Sequence, residues 1–418
     1  MLLVRWSVEA SRLIRLQSVC LQRSSSLVKG IVMRNILFVH QSADMYGSDK
    51  VLLSLVAGLD RSRFTPIVVL PCKGPLLIAL EENGIRCHLV PLVRAGRTLF
   101  SIKGLLSLPV EAWRSVRAIS RVLRGERIDI VHSNTLAVLS GTVWAWLKRV
   151  PHVWHVHEII ERPLVVRKGF AWLLRLFTHK VICNSHATMQ LLLQDQPALQ
   201  KKTVVVWNGI DREQPADATK TAAFRQELGL TDDDVLVALL GRINRWKGQG
   251  LLVEAAEQLE KRARHHLYYV AVGSPPDGQV HFLRTLEARI VQSPAREKIS
   301  LLSFTSDIWT VWDACDIAVV PSTEPEPFGM VALEAMASGR PVVAANHGGL
   351  AEIVVPDKTG LLFEPNNPRS LADAIETLAD NKTLRDEMGH AGKLLAAEKF
   401  SVAAYVAGVS AVYDSATA

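Results

Sequence analysis

Short apolar runs recur along the chain and alternate with stretches whose apolar positions fall three and four residues apart. ILFVH (36–40), PIVVL (66–70), CHLVPL (87–92), DIVHSN (129–134), HVWHVH (152–157), KVICNS (180–185) and TVVVWNG (203–209) read as strands. A polar connector, IDREQPADATKTAAFRQELGL, interrupts the pattern. A second series then follows: VLVALLG (235–241), LYYVAVG (267–273), ISLLSF (299–304), IAVVPS (317–322), PVVAAN (341–346) and GLLFE (360–364). Strands separated by helical stretches predict parallel, doubly wound sheets. The expected class is α/β, with two Rossmann-like domains over 33–211 and 212–418 and a hinge near 209–220. Both series open alike: the first strand leads through a glycine-bearing loop into a helix with apolar residues at 51, 52, 55, 56 and 59, or at 251, 252, 255, 256 and 259. That spacing lays one helix face on a sheet. In such sheets ligands bind at the carboxyl ends of the strands, so chemistry is sought there.

The first 32 residues stand outside the pattern. They hold six serines, and arginines break every apolar stretch, so no secretory core is present. A mitochondrial presequence has a similar composition. The favoured expectation is an upstream extension that is poorly ordered and dispensable, with the folded part opening at Met33. The composition elsewhere, 49% hydrophobic and 21% charged, is that of a globular protein. The five cysteines, Cys20, Cys72, Cys87, Cys183 and Cys315, show no C-x-x-C spacing, which suits a reducing compartment and argues against structural zinc. No run reaches the roughly 18 apolar residues of a spanning helix.

The formal net charge of +7 is uneven: the cationic excess lies in residues 1–211, and residues 212–418 are net acidic. Nucleic acid is disfavoured as a partner, since zinc-finger, RRM and aromatic-basic signatures are missing. A peripheral contact with an anionic membrane fits better. Residues 107–127 set Trp113, Val116, Ile119 and Val122 at helical spacing beside Arg114, Arg117, Arg121 and Arg124. Residues 165–180 repeat the device with Trp172, Leu173, Leu176 and Phe177. The plain alternative is that both stripes face the core.

Two strand-end segments carry the candidate chemistry. In GRINRWKGQG (241–250), Arg242 follows its strand at once and Lys247 precedes a helix, with Gly248 allowing a close turn. A guanidinium and an ammonium beside a helix N-terminus suit a diphosphate. The segment is neither a Walker loop nor G-x-G-x-x-G, which disfavours NTP hydrolysis and nicotinamide binding. In STEPEPFGMVALEA (322–335), Gly329 opens a helix whose free amides, at Phe328, Gly329 and Met330, favour a polar ligand. Glu326 lies at the helix mouth, and Glu334, further along, could accept from vicinal hydroxyls such as those of a ribose. The plain alternative is a capping acid plus a surface acid.

GRINRWKG, DACDIAVVPS, EPFGMVALEAMASGRPVVAANHGGLAEIV and TGLLFEP together resemble the donor-binding half of glycosyltransferase family 4. MYGSDKVLLSLV, HVHE and VVWNGID agree in the first half. The resemblance implies a GT-B fold, two Rossmann-like domains across a cleft, with the last helix crossing back to the first domain. It implies retention of configuration, with neither metal nor other cofactor. Carried over by position, Arg242 and Lys247 bind the donor diphosphate, and Gly241 and Gly273 line the donor site at their strand ends. Glu326 with the amides of Phe328, Gly329 and Met330 holds the transferred sugar, and Glu334 the ribose. His157 faces the sugar from the first domain, and Gly47 and Ser48 permit close approach. Glu326, His157, Arg242 and Lys247 form the expected catalytic group. The first loop reads Gly47-Ser48-Asp49-Lys50 where many members have a second glycine and a glutamate, which bears on acceptor geometry.

The lesser residues have simpler readings. His132 and His155 serve packing or polar contacts at strand ends, and Asn184 and Ser185 cap a helix. Asp232-Asp233-Asp234 is a solvated turn and not a metal site, and Cys183 and Cys315 are inert. The implied function is hexosyl transfer from GDP-mannose or a UDP-sugar to a lipid-linked or polysaccharide acceptor. That places it in cell-surface polysaccharide or lipopolysaccharide synthesis, in the cytoplasm or on the inner membrane face. The rivals are a nucleotide-sugar epimerase and a catalytically idle nucleotide-sugar-binding protein.

Overall fold

The computed structural model describes residues 33–94, 102–212, 214–263 and 266–417. The extension expected over 1–32, and Cys20 with it, lies outside them. Among the described residues thirteen strands form two sheets. The first holds β1 (Arg34–His40), β2 (Phe64–Leu70), β3 (Arg86–Leu89), β4 (Ile130–Asn134), β5 (His152–Val156), β6 (Lys180–Cys183) and β7 (Thr203–Val205), in the order β3-β2-β1-β4-β5-β6-β7. The second holds β8 (Val235–Leu240), β9 (Leu267–Val272), β10 (Ile299–Leu302), β11 (Ile317–Val320), β12 (Val342–Ala345) and β13 (Gly360–Phe363), in the order β10-β9-β8-β11-β12-β13. The named strands pair in parallel throughout. In each sheet the order reverses beside its first strand, and that switch point opens a ligand crevice.

Every apolar run assigned to a strand forms one, and most stop a residue or two early. CHLVPL pairs only as far as Leu89, because its partner ends at Leu70. An apolar run reports burial, whereas a strand needs a partner's backbone groups. The paired helix faces behave as their spacing predicts. Gly47–Gly58 buries Val51, Leu52, Leu55 and Val56, and Gln249–Lys261 buries Leu251, Leu252, Ala255, Ala256 and Leu259.

The chain leaves the first sheet after β7 and returns to it at the end. The amide of Ile210 donates to the Phe400 carbonyl (2.8 Å), and that of Val402 to Asp211 Oδ1 (3.0 Å). The helix Val402–Thr417 then buries Tyr405, Val409, Val412 and Tyr413 in the cluster that holds Ile36, Phe38, Val51 and Ile130. Residues 382–417 are apolar enough by composition to span a membrane, but much of that apolarity packs against protein. A further tie is Glu352. It accepts the amides of His186 (2.9 Å) and Ala187 (2.8 Å), at the free N-terminus of the helix His186–Asp195, together with Trp207 Nε1 (3.2 Å).

Tyr413 is fully buried, edge-on to Phe64, and its hydroxyl meets His132 Nδ1 at 2.8 Å. Tyr413→Ala should therefore cost about 3–5 kcal/mol, the usual range for truncating a core aromatic. Tyr413→Phe should cost about 1 kcal/mol for the lost hydrogen bond. Urea unfolding measures both, and a wild-type midpoint for the alanine variant would mean that this helix adds nothing to the first core.

Candidate active site

The second sheet supplies one wall. β8 ends at Leu240, and Gly273, after β9, approaches Gly241 so closely that a Cβ on Gly273 would lie 1.9 Å from the Gly241 carbonyl oxygen. Gly248 has φ +78° and would set a Cβ 1.9 Å from the Pro321 carbonyl oxygen. No other residue type fits either turn, so these glycines hold the ends of β8, β9 and β11 together. Lys247 consequently reaches Glu326: its Nζ lies 2.6 Å from Oε1, which also accepts from Ser322 Oγ at 2.5 Å. Glu326 is 5% exposed.

Gly329, in the left-handed region, starts the helix Met330–Ala337, and Phe328 before it is buried. Met330 lies between the two halves and packs against both core clusters. Glu334 is buried as well, at 8% exposure. Burial pushes its carboxyl above the usual range, while Lys50 from the first half, the Trp312 side chain and Lys247 pull it back. Trp312 Nε1 nonetheless makes no hydrogen bond of ordinary geometry. The alternative of a capping acid and a surface acid therefore fails: both carboxylates are buried beside lysines.

Arg242 projects across the cleft, with its guanidinium 3.8 Å from the centre of the Tyr46 ring. A cation on a ring face keeps its in-plane N–H donors free. Gly47 and Ser48 follow Tyr46 at the start of Gly47–Gly58, and a Cβ on Gly47 would meet open space.

The first sheet supplies the opposite wall. His157 follows β5 and is half-buried, with its Nε2 2.9 Å from Asn134 Oδ1 at the end of β4. Burial, with His40 beside it, pushes His157 down to about 3, so the imidazole is neutral near pH 7. Glu158 fixes the turn by accepting the amides of Leu136 (3.0 and 3.1 Å) and His157 (3.0 Å). Burial pushes its carboxyl up to about 7, against the pull of those amides.

Asp49 is buried at the mouth of the first helix. It takes the amides of Tyr46 (2.8 Å) and Met45 (3.1 Å), the Ser42 hydroxyl (2.6 Å) and His40 Nε2 (2.5 Å). Burial alone would raise this carboxyl, but His40, Ser42 and the Tyr46 amide hold it below its usual range.

The structure thus gathers Lys247, Glu326 and Ser322 into one cluster, with Glu334 near Lys247 and Arg242 against Tyr46. Tyr46, His40, Asn134 and Ser322 were not singled out in the sequence, and Asp49 and Lys50 stood out only as a departure from the family's first loop. Polar side chains at the ends of apolar runs, His40 and Asn134 above all, were the available signal. The lesser residues behave simply. His132 and His155 are core residues, with His132 Nε2 and both ring nitrogens of His155 unpartnered among the described residues. Ser185 Oγ caps its helix at Thr188 N (3.0 Å), while Asn184 holds the Thr188 hydroxyl instead. Asp234 accepts from Thr231 in a turn, and the described residues hold no cluster of three or more His, Cys, Asp or Glu suited to a metal. Burial raises the thiols of Cys183 and Cys315, the latter to about 12, which suppresses their reactivity.

A sequence profile described as Glycosyl transferases group 1 matches residues 220–395, and one described as Glycosyltransferase Family 4 matches 46–214. An uncharacterized glycosyltransferase of Methanocaldococcus jannaschii is 30% identical over 302 residues, covering 70% of this chain and 77% of that protein. The chain is a group 1 glycosyltransferase. D-inositol 3-phosphate glycosyltransferase of Corynebacterium glutamicum is 34% identical to this glycosyltransferase over 239 residues, 56% of this chain. That match spans 57% of the relative's length, and the Corynebacterium efficiens counterpart is matched over 48% of its length. Among solved structures, Anabaena HepE in complex with UDP-glucose is 25% identical, with a TM-score of 0.78 over 91% of this glycosyltransferase and 99% of that chain. WaaG, involved in lipopolysaccharide biosynthesis, shares the fold at 15% identity and a TM-score of 0.64. The two-sheet architecture of the glycosyltransferase is accordingly GT-B.

Proposed function

We propose that the protein transfers a hexosyl group, with retention, from a UDP-sugar or GDP-mannose to a lipid-linked or polysaccharide acceptor. The observation that carries this reading is the pairing of Lys247 with buried Glu326 at the strand ends of the second sheet, beside Arg242, which reaches Tyr46 of the first half. The two cations neutralise charge that develops on the departing diphosphate. Glu326 and the amides that begin Met330–Ala337 hold the sugar, and Glu334 meets the ribose. The leaving group is charged from the start, so attack on its own face of the sugar needs no protein nucleophile. Likeness to a protein solved with UDP-glucose supports the donor class, and relatives named for D-inositol 3-phosphate support a hydroxyl acceptor. Purified protein incubated with UDP-glucose and GDP-mannose, with and without membrane lipid extract, should release nucleotide only when acceptor is present. Isomerised sugar without acceptor would indicate an epimerase, and binding without turnover an idle binder.

A membrane face belongs to the same reading. Ile119 turns inward, as a core-facing stripe requires, but Trp113, Trp146, Trp172 and Leu176 are exposed. Arg117 covers the Trp113 ring at 4.6 Å, and Arg175 the Trp172 ring at 5.1 Å. Amphipathic rings beside cations suit a headgroup layer, at about 1 kcal/mol per basic residue near the surface. The protein should sediment with anionic vesicles, less so as salt rises and less so as Trp113→Ala or Trp172→Ala. Equal sedimentation with neutral vesicles would sink the electrostatic part.

A further inference from the structure

Behind the cleft, four side chains that lie far apart in sequence form one hydrogen-bonded chain: Asp49, His40, Asn134 and His157. Its polarity follows from the groups at its start. Asp49 is a carboxylate held below its usual range and only accepts, so His40 Nε2, 2.5 Å away, is the donor. On the other side of the ring Asn134 Nδ2, an N–H donor, lies 3.0 Å from His40 Nδ1, which therefore accepts. The Ser48 carbonyl, 3.4 Å from the same Nδ2, also only accepts, which independently fixes the orientation of the amide. Asn134 must therefore present its oxygen to His157, whose Nε2 donates at 2.9 Å. What remains is His157 Nδ1. It has no protein partner among the described residues and is not sealed from solvent.

We infer that Asp49, through His40 and Asn134, fixes His157 as its Nε2–H tautomer, so that Nδ1 stands toward the cleft as an acceptor for a hydroxyl of the transferred sugar. The inference rests on the donor reading above and deepens it. Asp49, His40 and Asn134 are positioning residues. They touch no substrate, and they set which nitrogen of His157 bears the proton. The assembly depends on the first helix, because the amides of Met45 and Tyr46 hold the outer oxygen of Asp49 and aim the inner one at His40.

Asp49→Asn tests the polarity with little change of shape. The new amide must keep its oxygen on the Met45 and Tyr46 amides, which turns its NH2 toward His40 Nε2. His40 then carries its proton on Nδ1. Asn134 turns over, gives up the long Ser48 contact and donates to His157 Nε2, so the His157 proton moves to Nδ1. Nitrogen NMR of histidine-labelled full-length protein reads this directly, with His157 assigned by its loss in His157→Gln. Wild type should show protonated Nε2 and bare Nδ1, and Asp49→Asn the reverse in most molecules. In an Asn134→Leu background the chain is cut, and Asp49→Asn should leave the His157 nitrogens unchanged. Transfer from UDP-glucose or GDP-mannose should fall roughly ten-fold in kcat/KM for one mismatched hydrogen bond.

A folded Asp49→Asn protein with unaltered His157 nitrogens overturns the inference, and so does a reversed tautomer with full turnover. If Asp49→Asn does not fold, Asn134→Leu alone decides: His157 should exchange between both tautomers, and a single unchanged tautomer counts against the chain. Nitrogen shifts that behave as described in a protein that binds neither nucleotide sugar would leave the relay standing and remove the donor reading instead.

Discussion

Glu326→Gln should cut turnover by one or more orders of magnitude, with donor affinity little changed. In the function proposed above, the carboxylate meets the transferring sugar, where positive charge would develop at the anomeric carbon as the bond breaks. An interaction that strengthens in the transition state raises turnover, whereas uniform binding only lowers the Michaelis constant. Glu326 also holds Lys247, so the glutamine frees that ammonium for the diphosphate and donor affinity need not suffer. Glu334→Gln should behave differently. A contact with the ribose, as proposed, would change little along the reaction, so donor binding should weaken by roughly 1–2 kcal/mol while saturated turnover holds. Steady-state kinetics and donor titration separate the two. Identical signatures would end the division of labour between the carboxylates.

Lys247→Ala should damage both stability and chemistry. The ammonium is the counter-charge of a carboxylate that is 5% exposed, and stripping one member from a buried pair costs about 3 kcal/mol. Turnover should fall further than donor affinity, because the lysine gains strength as the leaving diphosphate gains charge. The double variant Lys247→Ala, Glu326→Gln decides between the two effects. It should regain most of the lost stability, since no unpaired charge remains, and none of the turnover. Denaturant midpoints that stay equally low in single and double variants would mean that the pair is structurally idle.

The two sheets were legible because most strands are short, largely apolar runs, the signature of strands covered on both faces. VLVALL is wholly buried, as is IVHSN despite its polar residues. Strand ends were less legible, because a run such as CHLVPL continues past the last residue of its partner. On the donor side, GRINRWKG and EPFG kept their order in the chain and met at Lys247 and Glu326. The depth of Glu334 was not visible, since spacing along a helix cannot tell a face turned to water from one turned to Lys50 on the first helix of the other half. The chain from Asp49 to His157 was hidden for a different reason. Its members lie at 40, 49, 134 and 157, and only the adjacency of β1, β4 and β5 makes them neighbours. Tyr46 faces Arg242 from nearly two hundred residues away, and no spacing in the sequence links the two.

The return of the last helix to the first core has a consequence for biosynthesis. The core cluster containing Ile36 and Phe38 also needs Tyr405, Val409, Val412 and Tyr413, so it cannot close until these residues have left the ribosome. The second sheet, whose strands all lie between 235 and 363, can assemble while the first still waits. The half made first is therefore completed last. In the interval its exposed face, Val51, Leu52, Val56 and Val206 among it, is apolar and uncovered, a surface for a chaperone to shield during synthesis.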